Sequence, residues 1–184
     1  TYRPSSNSIG SGQVLDCPYE YKDGLLIARE MTDLLALDLV EKNLQTNQIV
    51  VTVGYDIENI TDGYKGEVST DHYGRKVPKS AHGTINLPEY TSSAKLLLEA
   101  VGKLYSEIVK KNLLVRRIYI TATRVLPAHK VKELGGGDLL DLFADYQANE
   151  QREEDLRKEH DVQKAVLDIK KKFGKNAIVK GMDL

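Results

Sequence analysis

The chain has little net charge, one cysteine and no long apolar run. Its 184 residues include 26 Lys and Arg and 27 Asp and Glu, for a net charge of −1, so bulk charge does not favour a nucleic-acid or membrane partner. Cys17 alone excludes an internal disulfide and a cysteine zinc cluster, and it fits a reducing cytoplasm. No segment approaches the roughly 18 apolar residues of a membrane-spanning helix, and we expect no signal peptide before the domain. We therefore expect a cytoplasmic protein without a membrane partner.

Motifs for catalysis and metal binding are also missing. The glycines at 135–137 follow a predicted strand but lack the lysine of a phosphate-binding loop. His72, His82, His129 and His160 are scattered, whereas zinc ligands are clustered. No Gly-x-Ser-x-Gly elbow is present, and the predicted strands hold almost no carboxylates for a two-metal nucleotidyl-transfer site. We expect no catalytic residue, no metal site and no cofactor in this chain.

Apolar periodicity predicts six main elements. In chain order they are a strand at 8–15, a helix from Asp23, strands at 48–55 and 82–87, a helix after Ser93 and a strand at 115–125. Pro88 is expected to end the third strand, and the 56–80 connection is expected to hold a small hairpin. Two helices can cover only one face of a four-stranded sheet. The prediction is therefore an α+β fold of β-α-β-β-α-β order.

Strand alternation places a polar set of side chains on the uncovered face of this sheet. Its members are Thr52, His82, Thr84, Asn86, Arg117, Tyr119, Thr121 and Thr123. The set contains hydroxyls, an amide, an imidazole and a guanidinium but no carboxylate, which suits contacts to phosphate oxygens. An ordinary solvated face explains the composition equally well, because threonine is common in strands.

The three glycines at 135–137 predict a flexible break after the compact domain. We divide the chain into a domain at 1–128, a linker at 129–143 and a charged helical tail at 144–184. Immediately after the glycines, four apolar residues surround one aspartate in the run Leu139, Leu140, Asp141, Leu142, Phe143. These side chains have little domain of their own to be buried in. They indicate a peptide that docks on a partner.

The tail is rich in charged and helix-forming residues. Val162, Val166, Ile169 and Phe173 recur at helical spacing and form a narrow apolar stripe, and Gly174 is a natural helix end. Such a stripe needs a surface to pack against. The sequence leaves three open: the parent domain, another copy of the chain, or a partner protein.

Four segments resemble a known family. The segments 8–12, 79–88 and 115–120 are similar to the C-terminal "little finger" domain of Y-family lesion-bypass DNA polymerases, and 168–181 is similar to the tail of their UmuC-like branch, the ImpB/MucB/SamB group. The order of the four segments is more specific than any one of them. The chain begins without methionine, and we expect it to be a fragment of a longer protein.

The resemblance implies a function for the uncovered face. In this family the little finger holds primer-template DNA by its backbone. Ser8, Gly10 and Ser11 match the first-strand contact segment, Thr84 matches the third strand, and Arg117, Tyr119 and Thr121 match the last. The implied parent is an error-prone translesion polymerase of DNA repair and the SOS response. Its magnesium-binding carboxylates would lie in a palm domain before Thr1.

The docking peptide also resembles a known motif, the sliding-clamp-binding pentamer Gln-Leu-Ser/Asp-Leu-Phe. Residues 140–143 match it, and Leu139 stands where the motif prefers glutamine. A bacterial sliding clamp is therefore an expected partner. Two other interpretations remain: a non-catalytic interaction module that self-associates through residues 150–173, and a small-molecule enzyme of ferredoxin-like fold.

Overall fold

The chain folds around a four-stranded antiparallel sheet in the computed structural model, which describes residues 7–134 and 146–178. Strands β1 (Asn7–Tyr19), β2 (Leu44–Tyr55), β5 (Ala81–Thr91) and β6 (Val115–Pro127) lie in the order β1-β6-β2-β5. Helix α1 (Tyr21–Glu41) joins β1 to β2, and α2 (Ala94–Ile108) joins β5 to β6. Each connection skips one strand, so both are split βαβ units. The predicted α+β fold is confirmed.

Both helices pack on the same face of the sheet and form one core with it. On that face, Ile49, Val51 and Val53 of β2 are fully buried, which is the alternation that the sequence predicted. From α2, Leu97 and Val101 join the same cluster. Within residues 7–134 and 146–178, no helix layer covers the other face of the sheet.

A small hairpin fills part of the long connection between β2 and β5, as predicted. After a 3₁₀ turn at Ile57–Asn59, strands β3 (Val68–Thr70) and β4 (Lys76–Pro78) pair antiparallel. The intervening turn contains Gly74 at φ +78°, a backbone conformation that glycine adopts without a steric penalty.

The prediction that Pro88 ends the third strand is wrong, because β5 continues through it to Thr91. Two features allow this. Strand β5 is at the edge of the sheet, where a missing N–H group need not remove a ladder hydrogen bond. Its pairing with β2 is also irregular between Asn86 and Thr91, so Pro88 lies in a bulged segment.

Two further helices follow β6. Helix α3 (Ala128–Leu134) begins directly after the strand and occupies the start of the segment 129–143, which was predicted to be a linker. Helix α4 (Tyr146–Phe173) corresponds to the predicted tail helix. It ends at Gly174, which has φ +101° and donates its N–H to the Lys170 carbonyl at 2.9 Å. No helix in the ranges 7–134 and 146–178 is long and apolar enough to span a membrane.

Helix α4 packs on the domain by capping the start of α2. The Glu159 carboxylate accepts from Ser93 Oγ at 2.6 Å and from the Lys95 N–H at 2.8 Å. The buried Gln163 amide donates to the Ser92 carbonyl at 3.0 Å and accepts from the Ala94 N–H at 3.4 Å. These bonds satisfy backbone groups at a helix N-terminus, which have no partner within the helix itself. Of the three surfaces left open for the tail, the parent domain is the one that α4 contacts.

The predicted apolar stripe does not make this contact. Val162 is 61% exposed, Ile169 38% and Phe173 68%. The side of α4 that faces the domain instead carries the buried Gln163 and the partly buried Leu167. Val166, the fourth residue of the predicted stripe, is partly buried like Leu167. The other three, Val162, Ile169 and Phe173, therefore lie on the exposed side of the docked helix.

Candidate nucleic-acid interface

The sheet face opposite the helices is a continuous surface, which we call the open face. Its centre is set by the pairing of β2 with β6, where Gln48 lies beside Thr123, Val50 beside Thr121 and Thr52 beside Tyr119. At one end of the pair, Gly54 lies beside Arg117. Directly paired residues project to the same side of an antiparallel sheet, so these side chains share one surface.

Strand β5 extends the open face by one row. His82 pairs with Thr52, Thr84 with Val50, and Asn86 with Gln48. All eight polar residues predicted to share the uncovered face therefore do share it. Gln48 and Val50 complete the surface and were not among the predicted contact residues. Gln48 begins the predicted strand, and counting alternation back from Thr52 would have identified it.

Strand β1 completes the open face on the other side. Gly10 pairs with Thr121 and Gly12 with Tyr119. A Cβ atom at Gly12 would lie 2.5 Å from the Tyr119 ring, so only glycine lets that ring lie across β1. Ser8 is exposed. Ser11 pairs with the buried Ile120 and so projects toward the helix layer, away from the other predicted contact residues.

Side-chain hydrogen bonds order the open face before any ligand binds. Gln48 links three strands, since its Nε2 donates to Asn86 Oδ1 at 2.7 Å and its Oε1 accepts from Thr123 Oγ1 at 2.7 Å. Thr52 Oγ1 and His82 Nδ1 are 2.8 Å apart. In this arrangement Asn86 keeps its Nδ2 group as a donor toward solvent, because its Oδ1 is already bonded.

The charge on the open face is positive and comes from Arg117. Among the described residues of the paired segments 10–14, 48–54, 82–86 and 117–123, no carboxylate is present. The hydroxyl, amide and guanidinium donors of these segments can all bond phosphate oxygens. Asp56 and Glu58 lie outside the segments but line the same cleft as Arg117. The surface is suited to hold a polyanion by its backbone.

Two of the basic side chains near the end of the 56–80 connection are paired with acids. Lys79 Nζ lies 2.7 Å from Glu67 Oε2, and Arg75 Nε lies 2.8 Å from Asp71 Oδ2. The hydrogen bond from Lys79 lowers the pKa of Glu67 and raises the pKa of Lys79. These pairs stabilise the hairpin and leave little net positive charge on it.

The other predicted sites have different outcomes. Residues Leu139, Leu140, Asp141, Leu142 and Phe143 lie outside the described ranges, so their predicted docking stays a prediction. Within the described part of the chain, no group of three or more His, Cys, Asp or Glu side chains is placed to hold a metal ion. Cys17 is exposed and its thiol is free. Partial loss of solvent around the thiol raises its pKa.

One protein family matches this chain. No curated protein matches the chain. Residues 6–134 match the impB/mucB/samB family C-terminal domain, and this range contains every residue of the open face and the whole β-α-β-β-α-β unit. The chain therefore belongs to the impB/mucB/samB family and carries the C-terminal domain of a UmuC-like Y-family DNA polymerase.

Proposed function

We propose that this chain holds primer-template DNA on the open face and docks its parent polymerase on a bacterial sliding clamp through Leu139–Phe143. The parent is an error-prone translesion DNA polymerase that acts in DNA repair and the SOS response. The observation that carries the DNA proposal is the open face itself. It is a sheet surface ordered by its own hydrogen bonds, with hydroxyl and amide donors and one arginine, and its described segments 10–14, 48–54, 82–86 and 117–123 contain no acid.

Contacts of this kind are to the DNA backbone. Arginine, threonine and asparagine donate to phosphate oxygens and thereby position a duplex, whereas sequence is read at the base edges. A polymerase domain has to hold whatever sequence has just been copied. The composition of the open face therefore suits duplex that leaves a polymerase active site.

Catalysis belongs elsewhere in the parent protein. In this proposal the carboxylates that bind magnesium for nucleotidyl transfer lie in a palm domain preceding Thr1. This chain binds the DNA and docks the polymerase on the clamp. Two bound metal ions would stabilise the attacking and leaving oxygens of such a transfer.

The clamp proposal depends on the pentamer at 139–143. Leu140, Asp141, Leu142 and Phe143 match the clamp-binding pattern, and the two final apolar residues would fill the pocket of the clamp. Leu139 replaces the preferred glutamine and removes one amide that would hydrogen-bond in the pocket. We expect the binding mode to be kept and the affinity to be reduced.

The substitution Arg117→Ala tests the DNA proposal. We expect it to weaken duplex binding about five- to tenfold at low salt, equally for two unrelated sequences, and to reduce the slope of log affinity against log salt by about one, because one phosphate contact is lost. Fluorescence anisotropy across a salt series measures both quantities.

Arg29→Ala is the matched control, because Arg29 is exposed on α1 in the helix layer, away from the open face. This variant should retain the wild-type affinity and salt slope. An Arg117→Ala chain with the wild-type slope, or a wild-type affinity that does not depend on salt, would refute the phosphate contact.

A second candidate function is self-association through α4. It is favoured by one observation, the exposed stripe of Val162, Ile169 and Phe173. Sedimentation equilibrium of the chain decides it: a dimer that Phe173→Glu converts to a monomer supports this candidate, and a monomeric wild-type chain excludes it. The DNA proposal does not depend on either result.

A further inference from the structure

The tip of the β3–β4 hairpin is an ordered aromatic surface. Tyr73 is 73% exposed. The Arg75 guanidinium lies 5.3 Å from the centroid of its ring, and the His72 ring meets it edge-on with centroids 5.5 Å apart. Asp71 fixes the turn, because its Oδ1 accepts from the N–H groups of Tyr73 and Arg75 at 2.9 and 2.8 Å. A side chain held in this way loses little conformational entropy when it binds a ligand.

The 3₁₀ turn at Ile57–Asn59, which β4 contacts, is tied to the main sheet. The Asn59 amide donates to the carbonyls of Asp56 and Leu114, both at 2.9 Å, and accepts from the Leu114 N–H at 2.8 Å. Leu114 immediately precedes β6, so these bonds connect the 3₁₀ turn to the strand that carries Arg117, and the hairpin contacts that turn through β4. The hairpin is therefore braced next to that end of the open face.

The hairpin and the open face enclose a cleft of about 550 Å³. Its floor includes Thr52, Arg117 and Tyr119, and its wall includes Thr70 and Tyr73. Clefts that enclose a small ligand measure roughly 300–1,000 Å³, so this one holds about one or two nucleotides. A duplex, whose major groove alone is about 12 Å wide, does not fit into it.

The charges that line the cleft nearly cancel. Arg75 is bonded to Asp71, and Arg116 Nη1 lies 3.7 Å from Asp56 Oδ2. Glu58 and Arg117 are the remaining charged residues of the lining. A nearly neutral cleft with two exposed tyrosines suits stacking of bases more than capture of phosphate alone, and stacking on aromatic side chains is the usual way of holding a single strand.

We propose that the hairpin marks the junction between duplex and single-stranded DNA. Duplex lies on the open face, and about one or two unpaired nucleotides enter the cleft and stack against Tyr73 and Tyr119. This inference rests on the proposed function, since it requires DNA on the open face. The proposed ligand of the hairpin is one unpaired strand that continues from the bound duplex.

Anisotropy with two probes tests the proposal on the whole chain. Both probes contain the same duplex; one is blunt and the other carries an unpaired 5′ extension of about six nucleotides, within the usual site size for a single strand. The wild-type chain should bind the extended probe more tightly. Tyr73→Ala should weaken binding to the extended probe about tenfold, as expected for a lost stacking contact, and leave the blunt probe unchanged.

Two further variants control for folding and for loss of any exposed ring. Tyr73→Phe keeps the ring and should keep the preference for the extended probe. Phe173→Ala removes an equally exposed ring from α4 and should change neither affinity. Equal loss on both probes, or no loss on either, with Tyr73→Ala overturns the proposal. If the wild-type chain binds both probes equally, the junction inference alone fails; if it binds neither, the proposed DNA function fails as well.

Discussion

Replacing Leu142 and Phe143 together by alanine is expected to abolish binding to a bacterial sliding clamp. Burial of each apolar side chain contributes roughly 1.5–3 kcal/mol, so the pair contributes roughly 3–6 kcal/mol. A loss of that size lowers affinity by about 100-fold or more. We expect micromolar binding of the wild-type chain in a calorimetric titration with purified clamp, and no detectable heat with the double variant.

The control for this result is the double variant Val162→Ala/Phe173→Ala. It removes apolar side chains of similar size from exposed positions on α4 and should bind the clamp like the wild-type chain. Leu139→Gln restores the residue that the clamp-binding pattern prefers and should tighten binding. A wild-type chain that does not bind the clamp would refute the docking proposal, and the DNA proposal would then stand on the open face alone.

Much of the open face could be predicted because alternation in a strand is a local property. Once Ile49, Val51 and Val53 were assigned to the core, Thr52 had to project to the other side, and the same reasoning fixed Arg117 and Tyr119. The sheet order was then limited by two helices that can cover only one face. Both inferences can be made without knowing the contacts between distant residues.

The structure differs from the sequence predictions, or adds to them, where a feature depends on contacts between distant segments. Strand β5 tolerates Pro88 because it lies at the sheet edge, and edge position is decided by the partner strands. Ser11 faces the helix layer because it pairs with Ile120. The cleft beside Arg117 depends on how Asn59 ties the 3₁₀ turn to the residue before β6 and on the contact of β4 with that turn. Each is a property of contacts between segments far apart in sequence.

The packed side of α4 was missed for a different reason. An apolar stripe is the usual sign of a buried helix face, so the sequence indicated only that Val162, Val166, Ile169 and Phe173 need a packing surface, with the parent domain, another copy and a partner protein left open. The structure uses polar side chains, because the surface that α4 meets is the N-terminus of α2, where backbone N–H groups need acceptors. Glu159 and Gln163, four residues apart, lie on the same side of the helix and can reach that end together.

The double variant Glu159→Ala/Gln163→Ala is expected to release α4 from the domain. It leaves the buried Ser92 carbonyl and Ala94 N–H without their side-chain partners, and a buried polar group without a partner costs about 1–3 kcal/mol. We expect docking of α4 to weaken by about 2–4 kcal/mol. Hydrogen–deuterium exchange should show loss of protection in residues 146–173, while β2 and β6 remain protected.

Gln151→Ala/Glu154→Ala provides the matched control, since it removes the same two residue types from exposed positions of the same helix. Among the described residues these side chains bond to Asp155 and Lys158 on α4 itself, and exposed pairs of this kind contribute about 0.5 kcal/mol or less. Exchange in this control should match the wild-type chain. If both double variants exchange alike, α4 is not held by its caps on α2, and packing against α1, with the Lys171–Glu41 ion pair at 2.9 Å, must hold it instead. If only the Glu159/Gln163 variant is released, the polar caps fix the tail, and the stripe of Val162, Ile169 and Phe173 is left available to a partner while the helix stays docked.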